Sequence, residues 1–339
     1  MPAAPGKRAV KMHVGCQRAP TTPERWLFFK RHGVEHVCGY PVIEDRDRGH
    51  WTAAELARTK ATCEKHGVRL DMVALPFLTS SHIDREGRPA ILLGKDPDRR
   101  KDIDDIHKCI EAMARVGVPA FKYNMSLLGV VRTARTPGRG GTSLSTWKLK
   151  EAKKDLPLTR AGRVTADVFW ERIQWFLDRV IPVCAEHKVR AACHPHDPGM
   201  PPEGYQGVDN VLGTVEGLKK LVALRDSPYH GLNLCVGSVA EMLRDPAKEI
   251  HDVVRHFGEQ KKVFNVHFRN IRGGRDDFRE VFPDEGDMNM VEVARTLQEV
   301  GYDGMVMPDH VPHHEDDSGG LQAFAFAYGY IKGVLQALR

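Results

Sequence analysis

The chain has no run of eighteen apolar residues, no CxxC pair and no glycine-rich turn after its first apolar strand. The first absence argues against a membrane-spanning helix. The second concerns seven scattered cysteines, Cys16, Cys38, Cys63, Cys109, Cys184, Cys193 and Cys235. An odd, unpatterned set speaks against a disulfide framework or a zinc ribbon and suits a reducing cytoplasm. The third weighs against a doubly wound dinucleotide-binding sheet, since "HVGCQRAPT" is not a phosphate-cradling turn. The opening "MPAAPGKRAV" also lacks the apolar run of a signal peptide. Strong charge of one sign is missing as well: a formal net charge of +5 over 339 residues gives no reason to expect nucleic acid as a partner.

What is present is the composition of a folded globular protein, 41% hydrophobic and 28% charged, long enough for two ordinary domains or one α/β barrel. Short apolar runs alternate with amphipathic stretches throughout. The strand candidates are "KMHVG", "HVCGYP", "VRLDMVAL", "AFKYNM", "VRAACHP", "GLNLCVGS", "KVFNVHFR" and "GMVMPDH". A helix is predicted after each. The first carries Thr22 as N-cap and Pro23 at N1, the second has Leu56, Thr59 and Cys63 at helical spacing with Gly67 as its stop, and the third aligns Ile103, Ile106, Ile110 and Met113. Eight β/α units over one chain predict a single (β/α)8 TIM barrel spanning residues 1–339 rather than an open sheet. One connection is long: residues 126–165 show no core pattern and carry nine Arg and Lys residues against Glu151 and Asp155. A solvated basic excursion and a lid that brings cations to an anionic substrate both fit this segment.

Barrel enzymes keep their chemistry at the C-terminal ends of the strands. The last residues of strands five to eight are His194, Cys235, His267 and Asp309, the last followed by His310. Each alone reads as an ordinary core or capping residue. Two imidazoles, a thiolate and a carboxylate at four successive strand tips instead read as a divalent-metal site with positions left for substrate oxygens. One thiolate and two imidazoles suit Zn2+.

The motifs "CHPHDPG", "GLNLCVGS", "VHFRN", "EGDMNM", "MPDH" and "KYNMSLLGVVRTART" resemble, in order, the signatures of the bacterial mannonate dehydratase family. The resemblance implies a xylose-isomerase-like TIM barrel that removes water from D-mannonate to give 2-keto-3-deoxy-D-gluconate, with Mn2+ or Fe2+ as cofactor. It implies His194, Cys235, His267 and Asp309 as metal ligands, His310 as the acid/base residue and Arg269 as an active-site arginine. Asn124 and Arg132 fall where the family has an asparagine and an arginine, and are expected at the substrate. His196 and Asp197 are expected to touch substrate hydroxyls or to support the site.

The departures fall in the same motifs. The family's "HPDDPP" has His196 and Gly199 here, and its "RPDHG" reads "MPDHV", with Met307 and Val311. A tyrosine of the last helix falls at Ala325, with Tyr328 and Tyr330 nearby on other faces; Tyr330 is kept as a candidate substrate contact. Intact metal donors with an altered wall leave open which sugar acid is used. They also leave open a metal-dependent isomerase or epimerase of the same fold, and a non-catalytic carbohydrate-binding barrel. The loop "VPHHEDD" reads as a polar loop rather than as extra ligands. No membrane partner is expected. The apolar last helix and surface-like Trp26 and Trp51 leave room for a homodimer.

Overall fold

The computed structural model describes residues 9–18, 22–45, 47–201 and 203–339. Residues 1–8, on which most of the signal-peptide reading rests, lie outside that set. Eight parallel strands close on themselves. They are β1 (His13–Cys16), β2 (His36–Gly39), β3 (Arg69–Ala74), β4 (Ala120–Asn124), β8 (Arg190–His194), β9 (His230–Cys235), β10 (Val263–His267) and β13 (Met305–Met307). All eight strands read from the sequence are present in this barrel.

The helices that cover it follow local rules. In α1 (Pro23–Arg31) the Thr22 side chain accepts from the Arg25 amide. In α2 (Ala53–Lys65) Thr52 and Glu55 form a reciprocal capping box. The short α3 (Ala90–Leu93) leads into α4 (Asp98–Val116), which buries Ile103, Ile106, Ile110 and Met113 and ends on left-handed Gly117. α5 (Ala166–His187) runs through Pro182 without interruption. α6 (Val215–Leu224), α7 (Val236–Ala240), α8 (Pro246–Glu259), α9 (Met290–Glu299) and α10 (Leu321–Ala337) complete the shell. Among the described residues no helix is long and apolar enough to cross a membrane.

Two corrections concern the surface. Trp26 and Trp51 are buried, at 0% and 1% exposure, so they give no reason to expect self-association. The segment 126–165 is also more structured than its composition suggests. It forms β5 (Thr136–Pro137), β6 (Ser143–Leu144) and β7 (Thr146–Lys148), with β5 and β6 paired to each other. β7 is the third strand of a small sheet with a hairpin, β11 (Asn270–Gly274) and β12 (Asp277–Val281), that directly follows β10. Trp147 opposes Phe278 in that sheet and both are wholly buried. Apolar burial and a backbone ladder thus fasten the insertion to the barrel rim.

Candidate active site

Strand register brings the tip residues to a common height. His267 pairs with Cys235 on one side and Met307 on the other, while Asn124 pairs with His194. One donor atom from each of His194, Cys235, His267 and Asp309 lies within 4.8 Å of all the others. His194 Nε2 is 3.3 Å from His267 Nδ1, His267 Nδ1 is 3.4 Å from Asp309 Oδ1, and Cys235 Sγ is 3.6 Å from Asp309 Oδ2. Donors held about 2.0–2.3 Å from a shared tetrahedral cation are separated by roughly 3.3–3.8 Å, so the spacing fits.

The tautomers fit as well. His194 Nδ1 donates to the Pro195 carbonyl at 2.7 Å, which turns a bare Nε2 toward the other donors. His267 Nε2 lies 2.9 Å from Gln17 Oε1 and 3.2 Å from Asn233 Nδ2, and in the tautomer that donates to Gln17 the Nδ1 lone pair faces the other donors. Burial lowers the His194 pKa and favours the neutral, ligating ring. Burial would raise Asp309, but His310, His267 and Arg269 outweigh it and hold the carboxyl well below its ordinary value. The Ser238 amide points at Cys235 Sγ from 3.3 Å, as suits a thiolate. The donor types and their spacing are therefore those a divalent cation needs.

Behind the quartet lies a buried charge network that the sequence reading only partly reached. Arg269 Nη2 donates to Asp197, Ser238 and Glu241 at 2.9, 3.0 and 2.8 Å, and its Nη1 pairs with Glu280. Arg132 pairs with Asp197 and Glu280 and lies 3.6 Å from Glu241. His310 Nδ1 is 2.9 Å from Glu280 Oε1. Burial disfavours the imidazolium, but Asp309 and Glu280 outweigh it and push His310 up to about 10. Burial pushes Glu241 up to about 8, with the charge of Asp197 adding to it. Asp197, Glu280 and His310 also form a compact donor group, but two guanidinium groups already occupy it.

Glycine makes room for this packing at two points. A Cβ on Gly237 would sit 2.2 Å from Arg269 Nε, and one on Gly199 would meet Met242 and the Glu241 backbone at 2.7–2.8 Å.

A cavity opens over the quartet, lined by Gln17, Lys122, Asn124, Ser126, His194, Asp197, His267, Asp309 and His310 among others. Several expected substrate contacts lie elsewhere. The His196 ring nitrogens face Asn210 Oδ1 and the Met125 carbonyl, and the ring stacks on Phe169. Burial lowers its pKa to about 4, so it is a neutral packing residue facing away from the cavity. Arg269 has a side-chain exposure of 0%, and neither it nor Arg132 lines the cavity; both are held by carboxylates rather than presented to a ligand. Tyr330 stacks on Phe326, outside the cavity lining, and Tyr328 is buried with its hydroxyl on Cys16 Sγ. In "VPHHEDD", His314 pairs with Asp316 and the His313 backbone bridges to Ser143. Glu280, Glu241, Gln17 and Lys122 were missed. Only Lys122 left a trace, a lone charge within the apolar strand "AFKYNM".

The mannonate dehydratase of Thermotoga neapolitana is 28% identical over 348 aligned positions, covering 90% of this chain and 91% of its own length. The crystal structure of mannonate dehydratase from Streptococcus suis serotype 2 superposes with a TM-score of 0.81 at 20% identity, covering 98% of this chain and 94% of its own. A xylose isomerase domain protein from Alicyclobacillus acidocaldarius gives a TM-score of 0.61 at 14% identity over 96% of this chain and 99% of its own, a likeness of fold. A family model described as D-mannonate dehydratase (UxuA) matches residues 141–339, more than half the sequence, a range that includes all four metal-type donors. The chain belongs to the D-mannonate dehydratase family.

Proposed function

We propose that this protein is a metal-dependent hydro-lyase that removes water from D-mannonate, or a closely related aldonate, to give a 2-keto-3-deoxy acid. The observation that carries the reading is the quartet of His194, Cys235, His267 and Asp309, converging on one point beneath a cavity that His310 also lines.

Dehydration of a 2,3-dihydroxy acid needs stabilisation of the charge that grows on the carboxylate as the C2 proton leaves, and a proton for the departing 3-hydroxyl. A bound divalent cation, Mn2+ or Fe2+ in our assignment, supplies Lewis acidity toward the substrate oxygens. His194, Cys235, His267 and Asp309 would hold that cation, beside the cavity that would admit substrate. His310, which lines the cavity and whose Nδ1 lies 2.9 Å from Glu280 Oε1, is assigned the proton relay: it accepts the C2 proton and delivers it to the departing 3-hydroxyl, which leaves as water. Asp197 and Asn124 line the same wall and are assigned to substrate hydroxyls, with Arg132 and Arg269 positioning Asp197. The seven cysteines are free and buried, in keeping with a reducing cytoplasm.

Protein loaded with Mn2+ or Fe2+ and given D-mannonate is expected to yield a thiobarbiturate-positive 2-keto-3-deoxy acid. No product from D-mannonate with either metal overturns the substrate assignment. Solvent deuterium entering C2 without loss of water overturns the dehydratase reading in favour of an isomerase or epimerase.

A further inference from the structure

A sugar acid needs a cation to recognise its carboxylate, and among the described residues Lys122 is the one Lys or Arg that lines the cavity over the quartet, all nine basic residues of segment 126–165 lying outside that lining. Arg269 and Arg132 are held by Asp197, Glu241 and Glu280. In the insertion, Arg139 pairs with Asp284, Lys148 with Glu151, and Arg160 donates to the Glu86 carbonyl. His310 lies between Glu280 and Asp309. Lys122 differs. Its Nζ lies deep in the barrel mouth and forms no ion pair among the described residues, yet part of its surface opens to the cavity over the quartet.

The surroundings of Lys122 are built for it. Its register partners Ala74 on β3 and Ala192 on β8 are small and leave space for the long side chain. Its ammonium donates to Gln17 Oε1 at 2.7 Å and to the Tyr40 hydroxyl at 3.1 Å, both neutral acceptors. An ammonium has three N–H donors, so one is left for a ligand. A desolvated cation with only neutral partners is costly unless an anion completes its shell. Asp309 favours the charged lysine only from beyond ion-pair distance, and a divalent metal bound at the quartet would draw on that carboxylate's charge. Gln17 also ties the lysine to the site, because it accepts from His267 Nε2 at 2.9 Å and donates to Asp309 Oδ1 at 3.3 Å.

We infer that Lys122 is the substrate-binding cation that pairs with the carboxylate of the sugar acid and selects acids over uncharged polyols. This rests on the sugar-acid reading above and deepens it. Asn124, two residues along the same strand and also on the cavity wall, lies within the same binding surface.

The test uses Mn2+-loaded wild type, Lys122→Met and Lys122→Gln. Calorimetric titration with 2-keto-3-deoxy-D-gluconate and with uncharged D-mannitol is joined by metal analysis of the dialysed proteins. A lost charge-assisted hydrogen bond should weaken acid binding by about 10- to 100-fold in both variants, with mannitol affinity and metal content unchanged. Acid affinity within threefold of wild type overturns the proposal. So does a parallel fall in acid and mannitol affinity, or a loss of bound metal, either of which marks Lys122 as a scaffold for the quartet. The two readings fail separately. If wild type prefers the acid through Lys122 but does not dehydrate D-mannonate, only the reaction assignment falls. If wild type dehydrates D-mannonate and the variants bind the acid equally well, only the Lys122 assignment falls.

Discussion

Glu280→Gln tests whether the charge network behind the site is a structural keystone. The side chain is 2% exposed and contacts Arg269, Arg132 and His310. Glutamine keeps its size and removes its charge, leaving two buried guanidinium groups to share Asp197 and Glu241. Removing one partner of a buried ion pair costs about 3–5 kcal/mol. Glu241 offsets part of this, because Glu280 is one of the charges that raise its pKa, and its carboxylate ionises more readily once that charge is gone. Unfolding 339 residues at about 2.1 cal/mol/K each corresponds to roughly 0.7 kcal/mol/K, so Tm should fall by about 4–7 °C. Calorimetric melts at pH 7 measure this directly. A shift below about 1 °C, or a gain, refutes the reasoning. A double-mutant cycle with Arg132→Met isolates the pair: an equal loss in both backgrounds shows that the Arg132 link is not its source.

Glu241→Gln carries a pH signature. The folded carboxyl, pushed up to about 8, keeps a proton that an unfolded chain releases near 4.5. Its contribution to stability is thus full below about pH 4.5 and is lost as pH rises through about 8. The Tm of Glu241→Gln relative to wild type should climb between pH 5 and 8 and then level; a flat difference contradicts the raised pKa. Cys235→Ser should retain the barrel but bind Mn2+ or Fe2+ at least roughly tenfold more weakly, as dialysis followed by elemental analysis would show. A chelator should lower the Tm of metal-loaded wild type and leave that variant unmoved. Unchanged metal content in Cys235→Ser removes the thiolate from the proposed ligand set.

The barrel was readable because its signals are local. Apolar runs at strand length, capping residues such as Thr22 and Thr52, and the one-faced helix of Ile103, Ile106, Ile110 and Met113 specify elements over windows of a dozen residues. The β11–β12 hairpin was not readable. "NIRGGRDDFREV" is polar, and its strands form by pairing with each other and with β7, more than a hundred residues earlier in the chain. With the hairpin, Glu280 was missed too. His196 misled for a related reason: the strand ends at His194, and beyond it the chain turns the ring between the Met125 carbonyl and Asn210.

The sequence by itself determined which side chains reach the barrel mouth, because strand period and strand endings place His194, Cys235, His267 and Asp309 at its rim. Only the tertiary structure decided which charges there are free. Arg132, Arg269 and Lys122 are all cations near strand tips, and their acidic or neutral partners come from other strands, from loops and from the β12 hairpin. Neutralisation acts through space over a few ångströms, and Arg132 meets Glu280 across 148 positions of chain. No local pattern encodes that distance, so folding alone separates the two anchored arginines from the lysine left facing the cavity.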